Sequence, residues 1–175
     1  MKIIVLDRDG VINQDSDEYI KSVAEWLPEK GSIEAIIKLK KAGWTVVIAT
    51  NQSGIKRGYY SRQILSDMHL KMSQLLGDYN VDWISYSPYE DKDNAVCRKP
   101  KTGMLRAIEL RFDVSLKDKF MIGDSMADLS VAKNFGMFPL LVKTGKGKRT
   151  VKKLGLQAKE MMVYDNLLAA VERIL

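Results

Sequence analysis

Residues 2–10, Lys2-Ile3-Ile4-Val5-Leu6-Asp7-Arg8-Asp9-Gly10, set an apolar run directly against two aspartates and a glycine. A short run rich in Ile and Val reads as a buried strand. The polar cluster that ends it falls where a strand hands over to a loop. The pattern recurs downstream. Residues 44–49 (WTVVIA) predict a second buried strand, running into Thr50-Asn51-Gln52-Ser53-Gly54 as loop. Residues 81–86, 119–122 and 138–142 predict three more strands, and residues 161–163 a short edge strand.

Helical spacing fills the gaps. Residues 31–42 carry Ile33, Ile36, Ile37 and Leu39, and Gly43 ends the run. Ser61 is placed to cap a helix through Leu76, with Ile64, Met68, Met72 and Leu75 on one face. Residues 103–112 put Leu105, Ile108 and Phe112 inward, residues 127–135 end at Gly136, and residues 166–174 close the chain. Residues 7–30 and 87–101 read as polar loops. Alternating strands and helices imply an α/β fold, a Rossmann-like three-layer arrangement around a parallel sheet. In such sheets ligands sit at the carboxyl ends of the strands. There the first strand presents Asp7-Arg8-Asp9, the second Thr50-Asn51, and the fourth Asp124.

The 175 residues, 46% hydrophobic and 29% charged, fit one domain, 1–175. No apolar run is long enough to cross a bilayer, and the N-terminal stretch is too short for a secretory signal. A cytoplasmic protein is the expectation. A lone cysteine, Cys97, and a lone histidine, His69, exclude an internal disulfide and argue against a structural zinc site. A catalytic metal would have to be held by oxygen, which favours a magnesium-like ion. The net charge of +6 suits a phosphorylated substrate and equally nucleic acid. Much of it lies in residues 143–153, read as a solvated loop leading into a helix. No aromatic residues are interleaved there, which counts against a single-strand stacking platform.

Asp7 and Asp9, two apart at a strand end, would point the same way in extended chain. Their repulsion invites a divalent cation. One carboxylate can attack phosphorus while the other gives and takes a proton. A turn, or a calcium loop with Glu18 at its twelfth position, is the competing reading; Val11 and Ile12 in the middle of that loop oppose it. Thr50 and the Asn51 N–H can hold phosphate oxygens, and Gln52 and Ser53 offer further hydrogen bonds. Lys99 can neutralise a phosphoryl group, and Arg98 can pair with a second phosphate or a carboxylate. Asp124 is a third acidic group for a hard metal. Asp128 either orients a neighbour or caps a helix. His69 reads as structural or exposed, and Cys97 has no base beside it to make it a nucleophile.

Taken together, Asp7-Arg8-Asp9-Gly10-Val11, Thr50-Asn51, Lys99 and Gly123-Asp124 resemble the four motifs of the haloacid dehalogenase superfamily, in order and nearly over the whole chain. D-R-D-G-V-I-N, Tyr19, T-N-Q-S-G-I-x-R-G-Y-Y and C-R-K-P-K-T-G-M narrow the resemblance to the D-glycero-D-manno-heptose-1,7-bisphosphate 7-phosphatases, on a branch shared with histidinol-phosphate phosphatases. The resemblance implies the haloacid dehalogenase fold without a separate cap domain. It implies Asp7 as nucleophile, Asp9 as acid/base, and Thr50 and Lys99 steadying the phosphoryl group. Magnesium would be held by Asp7, the Asp9 backbone carbonyl and Asp124. Arg98 would recognise substrate, and Asp15, Tyr19, Asn51, Gln52 and Ser53 would line its pocket. The implied role is hydrolysis of a sugar phosphate for lipopolysaccharide precursor synthesis.

One departure stands out. Many members of the branch carry a zinc loop before R-K-P, with C-x-H and C-x-C pairs. Here Ser87-Pro88-Tyr89 and Ala95-Val96-Cys97 stand there, and only Cys97 remains. No zinc is expected, and the loop at 89–97 must be ordered otherwise. The competing substrates are histidinol phosphate and phosphate ends of nucleic acid; the latter is disfavoured as a partner. A non-catalytic phosphosugar binder has no need of two adjacent carboxylates facing an anion. A monomer is the favoured state.

Overall fold

The computed structural model describes residues 1–175. Six parallel strands form one sheet in the order β3-β2-β1-β4-β5-β6, with β1 Ile3–Leu6, β2 Thr45–Asn51, β3 Trp83–Ser87, β4 Phe120–Gly123, β5 Phe138–Val142 and β6 Met162–Tyr164. The order runs outward from β1 in both directions. The crevice where the order reverses therefore lies at the end of β1, where Asp7 stands.

Period-two alternation divides the central strands between two cores. Ile4, Leu6, Val46, Ile48 and Ile122 face one side, packed by α1 (Ser32–Lys41), α2 (Arg62–Leu76) and α6 (Leu167–Ile174). Ile3, Val5, Val47, Ala49 and Met121 face the other, covered by α3 (Gly103–Phe112) and α4 (Met126–Phe135). All four residues of β1 are fully buried. Truncating one of them to alanine would cost about 2–5 kcal/mol, so the strand that leads into Asp7 is anchored by both cores.

The termini of the helices follow the local chemistry. Ser61 Oγ accepts the Ile64 N–H at 3.2 Å, and Asn166 Oδ1 accepts the Ala169 N–H at 2.9 Å. Gly136 ends α4 with a φ of 77°, a left-handed turn that suits glycine.

The elements depart from the sequence-based outline in two places. β2 continues through Thr50 and Asn51, which pair with Tyr86 and Ser87; the ladder to β3 takes polar residues because their backbone groups need partners. α2 buries Leu65 and Leu76 with Met68 and Met72, while Ile64 is half-buried and Leu75 is exposed, so the apolar stripe is turned by one position. The basic stretch is, as expected, a solvated loop leading into a helix: α5 (Gly147–Leu154) carries Lys148, Arg149, Lys152 and Lys153, all exposed. No helix is long and apolar enough to cross a membrane.

Candidate active site

After Leu6 the chain stays tied to the sheet for one more residue: the Asp7 N–H donates to Ile122 O at 2.9 Å. It then turns tightly, with the N–H groups of Val11, Ile12 and Asn13 all donating to Arg8 O. Gly10 has a φ of +82°, and a Cβ there would overlap the Asp124 carboxylate. Backbone conformation and space both require glycine. The turn lays Gly10 against the Asp124 carboxylate at the end of β4.

Lys99 organises the floor. Its Nζ donates to Asp7 Oδ1 at 2.8 Å, Asp128 Oδ1 at 2.6 Å and Ala49 O at 2.7 Å. That satisfies all three ammonium protons. Burial alone would drive Lys99 toward neutrality; the charges of Asp128 and Asp7 outweigh it and hold the ammonium charged. The Asn51 side chain clamps the Lys99 backbone from both ends, Nδ2 to Lys99 O and Lys99 N to Oδ1, each at 3.0 Å.

Asp7, Asp124 and Asp128 place one carboxylate oxygen each within 4.8 Å of the others, all buried. Burial, then the charge of Asp128, pushes Asp7 well above the usual carboxylate range, against the pull of Lys99. Burial, then Asp128 and Asp7, does the same to Asp124. Asp128 is committed: it takes Lys99 and caps α4 through Ser125, whose Oγ donates to its Oδ2 at 2.6 Å. Both roles weighed for Asp128, orienting a neighbour and capping, are realised at once. Asp7 and Asp124 are left as hard oxygen donors whose repulsion a divalent cation would relieve, and a magnesium ion fits them on that ground.

Asp9 points elsewhere. Its Oδ1 accepts from Arg8 Nε at 3.1 Å, Arg8 Nη2 at 2.7 Å and Asn13 Nδ2 at 2.9 Å, and its Oδ2 accepts from Gln52 Nε2 at 2.8 Å. Burial works to raise Asp9, but the Arg8 charge and these hydrogen bonds prevail and hold it below the usual range. The Asp9 side chain therefore stands outside the carboxylate cluster.

Several supporting residues escaped the sequence reading. Arg8 is fully buried between Asp9, Gln52 Oε1 at 3.1 Å and His69 Nε2 at 3.2 Å. Its place beside two aspartates was the one available signal. His69 is half-buried, and burial, then Arg8, lowers it to about 4, so its ring is neutral at pH 7 and can accept from Arg8. Gln52, expected in the substrate pocket, lies behind it: buried, it donates to Asp9 and Thr50 and accepts from Arg8 and Tyr60. Thr50 Oγ1 accepts the Gln52 bond at 2.9 Å, which leaves its hydroxyl proton to donate into the cavity.

A cavity of about 350 Å³ opens above this floor. Asp7, Asp9, Thr50, Lys99 and Asp124 line it, with Asp15, Tyr19, Asn51, Ser53, Arg98 and Lys146 around the sides. Glu18 is exposed and outside it, as a calcium loop would not allow. Arg98 Nη1 donates to Tyr89 O at 3.1 Å, while its Nε has no hydrogen-bond partner. The loop at 89–97 is knotted around Glu90, which is nearly buried. Glu90 closes a reciprocal cap with Asp93 and pairs with Arg57 at 3.0 Å and Lys92 at 3.2 Å. Lys101 Nζ ties down Asn94, and Cys97 Sγ donates to Ser87 Oγ at 3.4 Å.

Comparison with known proteins places the chain among its relatives. The HAD-hydrolase-like family model matches residues 96–170. The D-glycero-beta-D-manno-heptose-1,7-bisphosphate 7-phosphatase of Pseudomonas putida is 47% identical over 177 residues, covering 100% of both chains. That of Neisseria meningitidis is 47% identical over 96% of this chain and 91% of its own. The crystal structure of D,D-heptose 1,7-bisphosphate phosphatase from Bordetella bronchiseptica, complexed with magnesium and phosphate, superposes with a TM-score of 0.94 at 44% identity, covering 99% of this chain and 98% of that one. With this likeness running end to end, the chain belongs to the D-glycero-D-manno-heptose-1,7-bisphosphate 7-phosphatase family within the haloacid dehalogenase superfamily.

Proposed function

We propose that the chain is a phosphatase that removes the 7-phosphate of D-glycero-D-manno-heptose 1,7-bisphosphate through an aspartyl phosphate on Asp7. The observation that carries this is the buried Lys99 ammonium between Asp7 and Asp128, facing a cavity edged by further cations. Such a floor suits an anion that must come close to a carboxylate. The cavity volume suits a sugar phosphate.

Asp7 attacks phosphorus through a carboxylate oxygen, held in place by Lys99 and by the Arg8 N–H, which donates to Oδ1 at 2.7 Å. Lys99 and the Thr50 hydroxyl meet the charge on the phosphoryl oxygens. Asp9 gives a proton to the leaving sugar oxygen. Its cradle favours the ionised form, and the arriving phosphate adds negative charge beside it, which favours protonation. Once the sugar has left, the ionised Asp9 takes a proton from the water that hydrolyses the aspartyl phosphate. Magnesium, bound by Asp7, Asp124 and the Asp9 carbonyl, supplies charge neutralisation for the bound phosphate. Tyr19, Asn51, Ser53 and Arg98 meet the sugar and its second phosphate, while Asp15 stands at the mouth of the cavity against Lys146.

No zinc enters this reading, since contacts around Glu90 supply order to the loop at 89–97. A cytoplasmic monomer, one domain over 1–175, completes it. The test is phosphate release with magnesium from heptose 1,7-bisphosphate, fructose 1,6-bisphosphate, histidinol phosphate and a 3′-phosphorylated oligonucleotide. A strong preference for the heptose bisphosphate is expected. Preference for another member would keep the mechanism and replace the substrate.

A further inference from the structure

The rim of the cavity on the β5 side is locked to the reaction centre. Thr144 Oγ1 donates to Gly10 O at 2.6 Å, and the Lys146 N–H donates to Asp124 Oδ2 at 2.6 Å. Between them Gly145, at a φ of +53°, lies so close to Gly10 and Asp124 that a Cβ would overlap both. Lys146 is thus set in register with Asp7 and Asp124 through its own backbone.

Its side chain lines the cavity and is 46% exposed, with Nζ 3.0 Å from Asp15 Oδ2. Arg98, the other rim cation, follows β3, whereas Lys146 follows β5; the sheet order puts these on opposite flanks of β1. A phosphate at Asp7 already has Lys99 and Thr50. The Lys146 ammonium is left holding an oxyanion at the mouth of the cavity, and that oxyanion is a carboxylate of the protein itself. A phosphate carries more charge than a carboxylate and competes for the same ammonium. The neighbouring Asp17 pairs with Arg149 of α5 at 2.8 and 3.1 Å, so the segment has a second tether when Asp15 lets go.

We propose that Lys146 is a specificity-determining residue that receives the second phosphate of the bisphosphate, in the place Asp15 occupies in the free protein. This rests on the bisphosphate reading above and adds a residue to it. A purely structural Lys146–Asp15 latch makes different predictions, because breaking a latch from either side has the same result and harms every substrate alike.

The experiment compares kcat and KM on heptose 1,7-bisphosphate and heptose 7-phosphate for the wild type, Lys146→Met, Lys146→Arg and Asp15→Asn. A charged contact of this kind carries about tenfold to a hundredfold in binding. Lys146→Met should lose at least that tenfold more on the bisphosphate than on the monophosphate, mainly through KM, and Lys146→Arg should recover most of it. Asp15→Asn should not raise KM for the bisphosphate as Lys146→Met does. Equal losses on both substrates in Lys146→Met, or the same pattern in Asp15→Asn, would overturn the proposal and leave a latch. A wild-type preference for the bisphosphate that survives in Lys146→Met removes Lys146 alone. A wild type without that preference overturns the bisphosphate reading itself, and the proposal with it.

Discussion

The floor and the rim of one cavity are built differently. On the floor, Lys99 has three fixed acceptors, Arg8 is fully buried among its partners, and Asp9 has four hydrogen bonds. On the rim, Arg98 has a single hydrogen bond, to Tyr89 O, and a loose ion pair to Asp91 at 3.9 Å, and Lys146 stands half-exposed on Asp15. Groups that are buried and fully paired cannot reorganise cheaply, which suits a step common to any phosphate ester. Cations with spare or exchangeable partners suit the choice among esters. The proposed function thus assigns chemistry to the floor and selection to the rim.

Removing the nucleophile should strain that contrast most. Asp7→Asn is expected to lower kcat by about 10⁴-fold or more on every substrate, measured as phosphate release by a variant that still melts cooperatively. Substantial turnover would remove Asp7 from the chemistry. Lys99→Ala should cost about 10²–10³-fold in kcat. It should also cost about 3–5 kcal/mol in denaturant unfolding, because Asp7 and Asp128 stay buried without their ammonium. Wild-type stability in this variant would mean that the floor is not held by that charge. On the rim, Arg98→Ala should lose about tenfold more on the bisphosphate than on a simple aryl phosphate. Equal losses would take Arg98 out of substrate recognition.

The metal sharpens the contrast through pH. Asp7 and Asp124 are raised above the usual carboxylate range in the folded, metal-free protein. The folded state then binds more protons than the unfolded chain between that range and the raised values. Stability of the metal-free protein should therefore fall as pH rises through that window. Magnesium, which takes the ionised carboxylates, should raise the melting temperature more at pH 8 than at pH 5. An equal shift at both would detach these carboxylates from metal binding. The smallest effect is expected at Cys97→Ser, at most about 1 kcal/mol, with Glu90→Ala more damaging to the loop. The reverse order would make the cysteine, not Glu90, the anchor.

The sequence was most readable where chemistry and periodicity coincide. Apolar runs ending in Asp7, Thr50 and Asp124 announced a parallel sheet and its ligand-bearing edge, because buried strands leave a plain hydrophobic signature. Its strands end within one or two residues of the expected places. Partnerships across distant segments were not readable. Nothing local to Gln52 says that it serves Asp9 and Arg8 from behind the pocket. Nothing local to Lys146 says that a glycine turn presses it against Asp124, since that depends on how β4 and β5 lie side by side. The one-position turn of α2 has the same origin: Leu65 and Leu75 are equally apolar, and only tertiary packing selects between the faces they lie on.

The most direct test of the account is to react the enzyme briefly with heptose 1,7-bisphosphate labelled at the 7-phosphate, quench in acid, and map the label on the protein. The account predicts base-labile label on the peptide containing Asp7, absent from Asp7→Asn and accumulating in Asp9→Asn if hydrolysis of the intermediate is slowed more than its formation. Turnover of that substrate with no label on the protein at any time, or label carried by another residue, would contradict it.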